Sequence, residues 1–349
     1  MKKILFTFLV TVIFLAFFYV TKNKHQMIRS YCDFDMVYVS DFGGNFCIDK
    51  YEASQSDTIK KIDLNNDGDF DDFMGKYSGI IYDHKDYSYS KALKEENNLD
   101  FKKLDSSLVR ESNVKVPVSK KSQEPWVLVT KYESDAYCKA ADKRLPTNKE
   151  WYLAAQGTPD NNFLQPEKNS ESCNVWNFGK DPSLPKGGLL SIGNMAKGSI
   201  KTGTATNCKS KYGAYDMVGN VWEWVSEVVL GDMDKGFLAD DGKGDKVKWP
   251  DQGYITKYSD QLGIPLETSQ DLENKKFNGD YTYTFADNNC SDKNIDGYGC
   301  NKKTAKIRGI MRGGSAVNGG AAGIYRADID DAPSHSFNLL GFRCAKNPN

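Results

Sequence analysis

Glu223 stands between two tryptophans in the run Tyr212-Gly-Ala-Tyr-Asp-Met-Val-Gly-Asn-Val-Trp-Glu-Trp-Val225. A buried carboxylate in such apolar company has to be paired, hydrogen-bonded or metal-bound. A cation, or a ring of backbone N–H donors, is one reading; a turn-rich core segment with Glu223 at the surface is the other. A second set of oxygen ligands is Asp63, Asn65, Asp67, Asp69 and Asp71. Asp63, Asn65, Asp67 and Asp71 fill positions 1, 3, 5 and 9 of a calcium loop, with Gly68 at position 6 for the sharp turn and Asp69 at position 7. Position 12, where a bidentate Glu belongs, is Met74, and a solvated Asx-rich turn is the alternative. Redox or hydrolytic chemistry has few other candidates. The three histidines are His25, His84 and His335. A two-His, one-carboxylate iron site would have to join His84 to His335, and both read better as surface residues. Nucleophile elbow, phosphate loop and H-E-x-x-H zinc motif are all missing.

The eight cysteines are Cys32, Cys47, Cys138, Cys173, Cys208, Cys290, Cys300 and Cys344. The number is even, and the C-x-x-C spacing of a zinc or redox site does not occur. Lys2-Lys3 precedes an apolar run, Ile4–Val20, in which only Thr7 and Thr11 are polar. That run is an export signal, and the lack of a small-x-small cleavage site after it favours a retained anchor over a cleaved leader. It is short against the roughly 20 residues that span a bilayer. An even cysteine set behind an export signal reads as disulfides in an oxidising compartment, periplasmic or at the cell surface. Residues 1–27 are thus expected to contact the membrane, and 28–349 to form one extracytoplasmic domain. Charge is balanced, 46 Lys+Arg against 47 Asp+Glu, so a nucleic-acid partner is not expected.

These residues need elements to hold them. Met36–Val39 and Phe46–Ile48 alternate as two short strands about a turn at Gly43-Gly44-Asn45. Val114–Val118 and Trp126–Val129 read as extended. Lys131–Lys143 is an amphipathic helix with Tyr132, Ala136, Tyr137, Ala140 and Ala141 on one face. Pro146 ends that region, and Thr147 with Glu150 forms a capping box for a second helix through Trp151 to Ala155. Residues 156–211 read as loop. About 55–113 and 230–305 are polar, weakly periodic inserts.

Five motifs then occur together and in order: F-C-I-D-K-Y-E-A-S at 46–54, Y-C-K-A-A-D-K-R-L-P-T-N-K-E-W at 137–151, T-G-T at 202–204 leading to the 212–225 run, R-G-G-S at 312–315 and G-F-R-C at 341–344. In them the chain resembles the sulfatase-modifying-factor domain of the formylglycine-generating enzymes, over roughly 34–346. The resemblance implies an α+β, C-type-lectin-like fold with two helices, a twisted antiparallel sheet and much irregular structure. It implies a Cys138–Cys344 disulfide; proximity in the chain suggests Cys173–Cys208, Cys290–Cys300 and Cys32–Cys47 for the rest. It also implies structural calcium, nominating Glu223 with the Gly219 and Val221 carbonyls for one ion, and Asn174 with the Val175 carbonyl for another.

At the active site the chain departs from that pattern. The family's oxidases hold copper through two cysteines after R-G-G-S, and soft Cu(I) needs thiolates. Those positions are Asn318 and Gly323 here, so copper is not expected; a second branch of the family binds iron through histidines, and with three in this chain iron is not expected either. In a third branch, retroelement-diversified binding proteins, the segment between R-G-G-S and G-F-R displays the ligand-binding face. Here 316–340 mixes Asp, His, Phe and Leu where Asn is usual, as diversification or drift would leave it. The expected function is binding of a protein or small-molecule ligand through this face, with Ser315, Asn318, Tyr325, Asp328, Asp330, Asp331, His335, Phe337 and Asn338 as contact candidates. A metal-dependent oxidoreductase acting on a protein or thiol is the alternative, and a structural envelope protein the second.

Overall fold

The computed structural model describes residues 31–41, 44–63, 111–159, 173–175, 198–232, 236–240, 246–271, 281–282, 307–331, 333 and 336–349. Within them four small sheets surround two short helices, as an α+β fold of this kind requires.

The chain enters through β1 (Met36–Asp41) and β2 (Gly44–Asp49), paired antiparallel from Met36↔Asp49 to Asp41↔Gly44. The C-terminal strand β14 (Ala345–Lys346) adds to β2 on its other side, so the two ends of the domain close one sheet. Strands β3 (Ala53–Asp63) and β4 (Glu111–Ser119) form a separate two-stranded ribbon. The first expected insert therefore starts and ends as strand. Periodicity hid it because the ribbon is largely exposed: Ile59 stands in solvent.

Helix α1 (Lys131–Ala140) starts at a capping box that sequence reading passed over, in which Thr130 Oγ1 accepts from Glu133 N–H and Glu133 Oε2 accepts from Thr130 N–H. It ends before Lys143, the expected boundary. Asp142, at φ 56°, turns the chain left-handed; its N–H goes to Lys139 O, and that of Lys143 to Cys138 O. This is the glycine-type C-terminal cap carried by an aspartate. Trp126–Val129 forms no strand; Trp126 N–H makes a single bond to Ala53 O. Helix α2 (Asn148–Ala155) has the expected Thr147–Glu150 capping box.

The largest sheet is built on β5 (Trp222–Asp232), with β13 (Leu340–Phe342) parallel to its start. Its other members are β6 (Gly236–Asp240), β7 (Lys246–Lys248), β11 (Ile307–Gly313) and β12 (Gly323–Asp328), and the order is β12–β11–β5–β6–β7. A three-stranded sheet of β8 (Gly253–Ser259), β9 (Ile264–Ser269) and β10 (Tyr281–Thr282) lies beside it. The second expected insert, weakly periodic in sequence, thus contributes five strands. Its β8–β9 turn docks on the core: Asn148 Nδ2 donates to Leu262 O and Gly263 O, and the Arg312 guanidinium donates to Gly263 O, Tyr258 Oη and Ile324 O.

Strand β5 divides the interior. Trp222 and Trp224 face a cluster with Trp126, Tyr137, Leu340 and Phe342, while Val225 and Val229 face one with Trp151, Met217 and Ile310. Gly309 lets β11 cross the Trp224 indole; a Cβ there would overlap the ring.

Three disulfides are present, Cys32–Cys47, Cys138–Cys344 and Cys173–Cys208. No described cysteine is free; Cys290 and Cys300 lie outside the described residues. The Cys138–Cys344 bridge closes 206 residues of chain, so its loss releases much unfolded-state entropy. Replacing both cysteines by serine is expected to cost about 2–5 kcal/mol in urea denaturation of the oxidised protein. A cost near zero would mean that this bridge does not constrain the unfolded chain.

Candidate functional site

The Tyr212–Val225 run lies at the junction of every motif. Gly213 and Gly219, and also Asp216 and Asn220, have positive φ, so the segment coils tightly before β5 begins. At Gly219 a Cβ would strike the Asn174 carbonyl. The two expectations for Glu223 resolve in favour of burial, and its cation is Arg343. Arg343 Nη2 lies 2.6 Å from Glu223 Oε1 and Nε 2.7 Å from Oε2, a bidentate pair with both side chains sealed from solvent. Trp151 Nε1 donates to Oε2 at 2.7 Å. The remaining Arg343 donors reach Asp49 O and Tyr215 O. Glu223 therefore needs no calcium ion to be buried. The carbonyls of Asn174 and Val175 accept from Asn220 N–H and Gly319 N–H, and Asn174 Nδ2 donates to Gly198 O and Asn220 Oδ1. Among the described residues no three His, Cys, Asp or Glu side chains gather closely enough to hold a metal. Asp63 ends β3, while Asn65, Asp67, Asp69 and Asp71 lie outside the described residues.

Two further carboxylates share this interior. Glu52 accepts from Asn220 Nδ2 and Val221 N–H, and Asp216 accepts from Gly203 N–H. Burial pushes the Glu52 carboxyl well up, and the charges of Asp216 and Glu223 add to that; Arg343 and Asn220 offset part of it. Burial lifts Asp216 to about 6 against the Gly203 N–H and Arg343. Burial alone would lower the Arg343 pKa, but Glu223, Glu52 and Asp216 outweigh it and hold it raised.

Beside this junction, two loops flank the start of β5. Ala316 N–H donates to Asn220 O on one side, and Trp222 N–H donates to Leu339 O on the other. Between them Arg326 lies over the Trp222 ring, 5.3 Å from its centroid, and pairs with Asp328 at 2.9 Å. Asn318 Oδ1 accepts from both Ser315 N–H and Ser315 Oγ at 2.7 Å and ties the R-G-G-S turn to itself. An amide oxygen cannot take the serine's proton, so Ser315 is not an activated nucleophile.

The expected contact residues divide by burial. Ser315, Asp328 and Asp331 are buried. On β12, period-2 alternation sets Arg326 and Asp328 on the Trp222 face, whereas Ala327 packs the core on the other. Asn318, Tyr325, Asp330, Phe337 and Asn338 are half-exposed. Tyr325 joins Tyr152 and Tyr258 with ring centroids 5.0–5.7 Å apart, and Phe337 packs on the Trp222 cluster. His335 lies outside the described residues. Sequence reading missed Arg343, Glu52, Asp216 and Arg326. The usable signal was an arginine flanked by Phe342 and Cys344, the complement of a glutamate flanked by tryptophans.

The Sulfatase-modifying factor enzyme 1-like domain model matches residues 40–348. The chain belongs to that family. Bovine "Inactive C-alpha-formylglycine-generating enzyme 2" is 36% identical over 128 residues, 35% of this chain and 39% of that protein. Mouse "Formylglycine-generating enzyme" is 29% identical over 202 residues, 52% and 49% of the two chains. The "Hercynine oxygenase" of Mycolicibacterium smegmatis is 32% identical over 103 residues, covering 30% and 22%. The chain spans less than half the length of these relatives. Among solved structures, the "Major Tropism Determinant I1 Variant" aligns with TM-score 0.36 and 14% identity over 91% of this chain and 54% of its own. PvdO from Pseudomonas aeruginosa aligns with TM-score 0.31 and 14% identity over 89% and 90%.

The family fold here rests on a junction with three carboxylates and one guanidinium, which gives it a pH signature. Asp216 binds its proton more tightly folded than unfolded, so its contribution is present below its ordinary value of 3.8 and is lost as pH rises through about 6. Asp216→Asn keeps an acceptor for Gly203 N–H and cannot ionise. The stability of the variant relative to wild type is expected to rise between about pH 4 and 6 and then level off, measured by urea denaturation across that range. A difference independent of pH would place the titration elsewhere.

Proposed function

We propose that this chain is a non-oxidising member of the sulfatase-modifying factor family, tethered to a membrane through residues 4–20, that binds a ligand beside β5. The observation that carries the reading is Asn318. At a position where the family's oxidases use a copper-binding cysteine, an amide closes the Ser315 turn, and every described cysteine is in a disulfide. A site without a thiolate has no ligand suited to Cu(I). The three disulfides support an oxidising, extracytoplasmic setting. No helix among the described residues is long and apolar enough to cross a membrane; residues 4–20 lie outside them.

In this reading Asn318, Asp330, Phe337 and Asn338 meet the ligand, and the buried Arg326–Asp328 pair supports them from beneath. Asn338 Oδ1 is enclosed and has no hydrogen-bond partner among the described residues. Purified protein offered Cu(I) and a thiol peptide is expected to bind no stoichiometric copper and to consume no oxygen, whereas Asn318→Cys combined with Gly323→Cys gains copper. Stoichiometric copper in the wild-type chain with thiol-dependent oxygen uptake would establish the oxidase instead.

A further inference from the structure

Balanced composition conceals one uneven surface. Phe34 is 96% exposed and Tyr31 39%, both just inside the point where the described chain begins. A phenylalanine left almost wholly in water is costly unless something covers it. The backbone around it leads directly to lysines. Lys50 N–H donates to Asp35 O, which also accepts from Ser119 Oγ; that hydroxyl accepts from Tyr51 N–H, and Tyr215 N–H donates to Lys50 O. Lys120 and Lys121 follow Ser119, and Lys209 bridges in register to Tyr215.

The nearby carboxylates have lysine partners of their own: Asp33 pairs with Lys346, Asp35 and Asp49 share Lys143, and Asp41 pairs with Lys211. Lys50, Lys120, Lys121 and Lys209 have no ion-pair partner among the described residues. Two of them are held in advance. Lys50 Nζ lies 5.8 and 6.0 Å from the stacked Tyr51 and Tyr215 rings, and Lys209 Nζ lies 5.8 Å from Tyr215. An ammonium resting on an aromatic ring keeps its charge available and gives up less side-chain freedom on binding.

We infer that this face, with Phe34 as its apolar wedge and Lys50, Lys120, Lys121 and Lys209 as its cations, docks on a bilayer surface bearing anionic headgroups. The position decides for lipid over a soluble polyanion. The face adjoins the start of the described chain at residue 31, in the sequence that follows the apolar run 4–20, and it pairs an exposed aromatic ring with unmatched lysines as interfacial anchors do. The inference rests on the tether proposed above for its geometry and adds an orientation: the domain lies against the membrane on its β1–β2 side.

The test uses full-length protein in vesicles of phosphatidylcholine brominated in the acyl chains, with or without phosphatidylglycerol. Phe34→Trp supplies the probe, and emission quenched beyond the wild-type background reports its contact with lipid. Quenching is expected when phosphatidylglycerol is present, and is expected to be lost in high salt and in the K50E/K120E/K121E/K209E background. Equal quenching with and without phosphatidylglycerol, or none in either, overturns the inference. So does a shift in the emission of the Phe34→Trp variant on adding alginate when anionic vesicles give no quenching, which would assign the face to an acidic polysaccharide. Flotation of the wild-type chain in high salt reads the tether separately. If flotation fails there while low-salt quenching persists, the tether is wrong and the docking face stands.

Discussion

The Arg343–Glu223 pair is the constraint on which the other parts of this domain depend. It joins the last motif to the central one, and through its remaining donors it holds Asp49 from the first motif and Tyr215 from the turn before β5. Trp151 brings α2 to the same carboxylate. Four segments distant in sequence thus meet at one pair of charges. A buried ion pair is seldom a net gain over apolar packing, but removing one partner leaves an uncompensated charge and costs about 3–5 kcal/mol. The pair therefore acts chiefly as a specification of register. With β13 parallel to β5, a one-residue slip would carry Arg343 to the opposite face, among the aromatic rings of the Trp222 cluster.

That junction leaves the neighbouring loops free to differ. Ala316 N–H is bonded to Asn220 O just before β5, and Leu339 O accepts from Trp222 N–H at its start; such bonds do not depend on side-chain identity. Loops carried in this way on a rigid sheet can exchange one chemistry for another without unfolding the domain. On the proposed reading, the amide of Asn318 that closes the Ser315 turn is a change of this kind, local and tolerated by the fold.

How much of this was legible beforehand depended on whether a residue's partner lay close in sequence. The Thr147–Glu150 cap and the alternation of β1 and β2 are local, and sequence reading places them correctly. The family resemblance supplied the Cys138–Cys344 pairing, which no local rule gives. Strands β6 to β10 were missed because they are short and carry mixed polarity. The ribbon of β3 and β4 was missed because it has little buried face to produce a pattern. Glu223 shows the other limit. Its composition demanded a cation, but whether that cation was calcium or a guanidinium depended on Arg343, 120 positions away. Asp328 and Asp331 read as surface ligands because acidic residues usually are exposed; both are buried, Asp328 at the end of β12 and Asp331 in the bend that follows.

The central claim is that a guanidinium, and not a metal ion, neutralises the buried carboxylate on which the fold closes. A double-mutant cycle with Glu223→Gln, Arg343→Met and the pair of them tests it directly, read by urea denaturation with and without EDTA. The account predicts a coupling of about 3 kcal/mol that chelation does not alter. A coupling near zero, with a wild-type stability that falls in EDTA and returns with calcium, would contradict it.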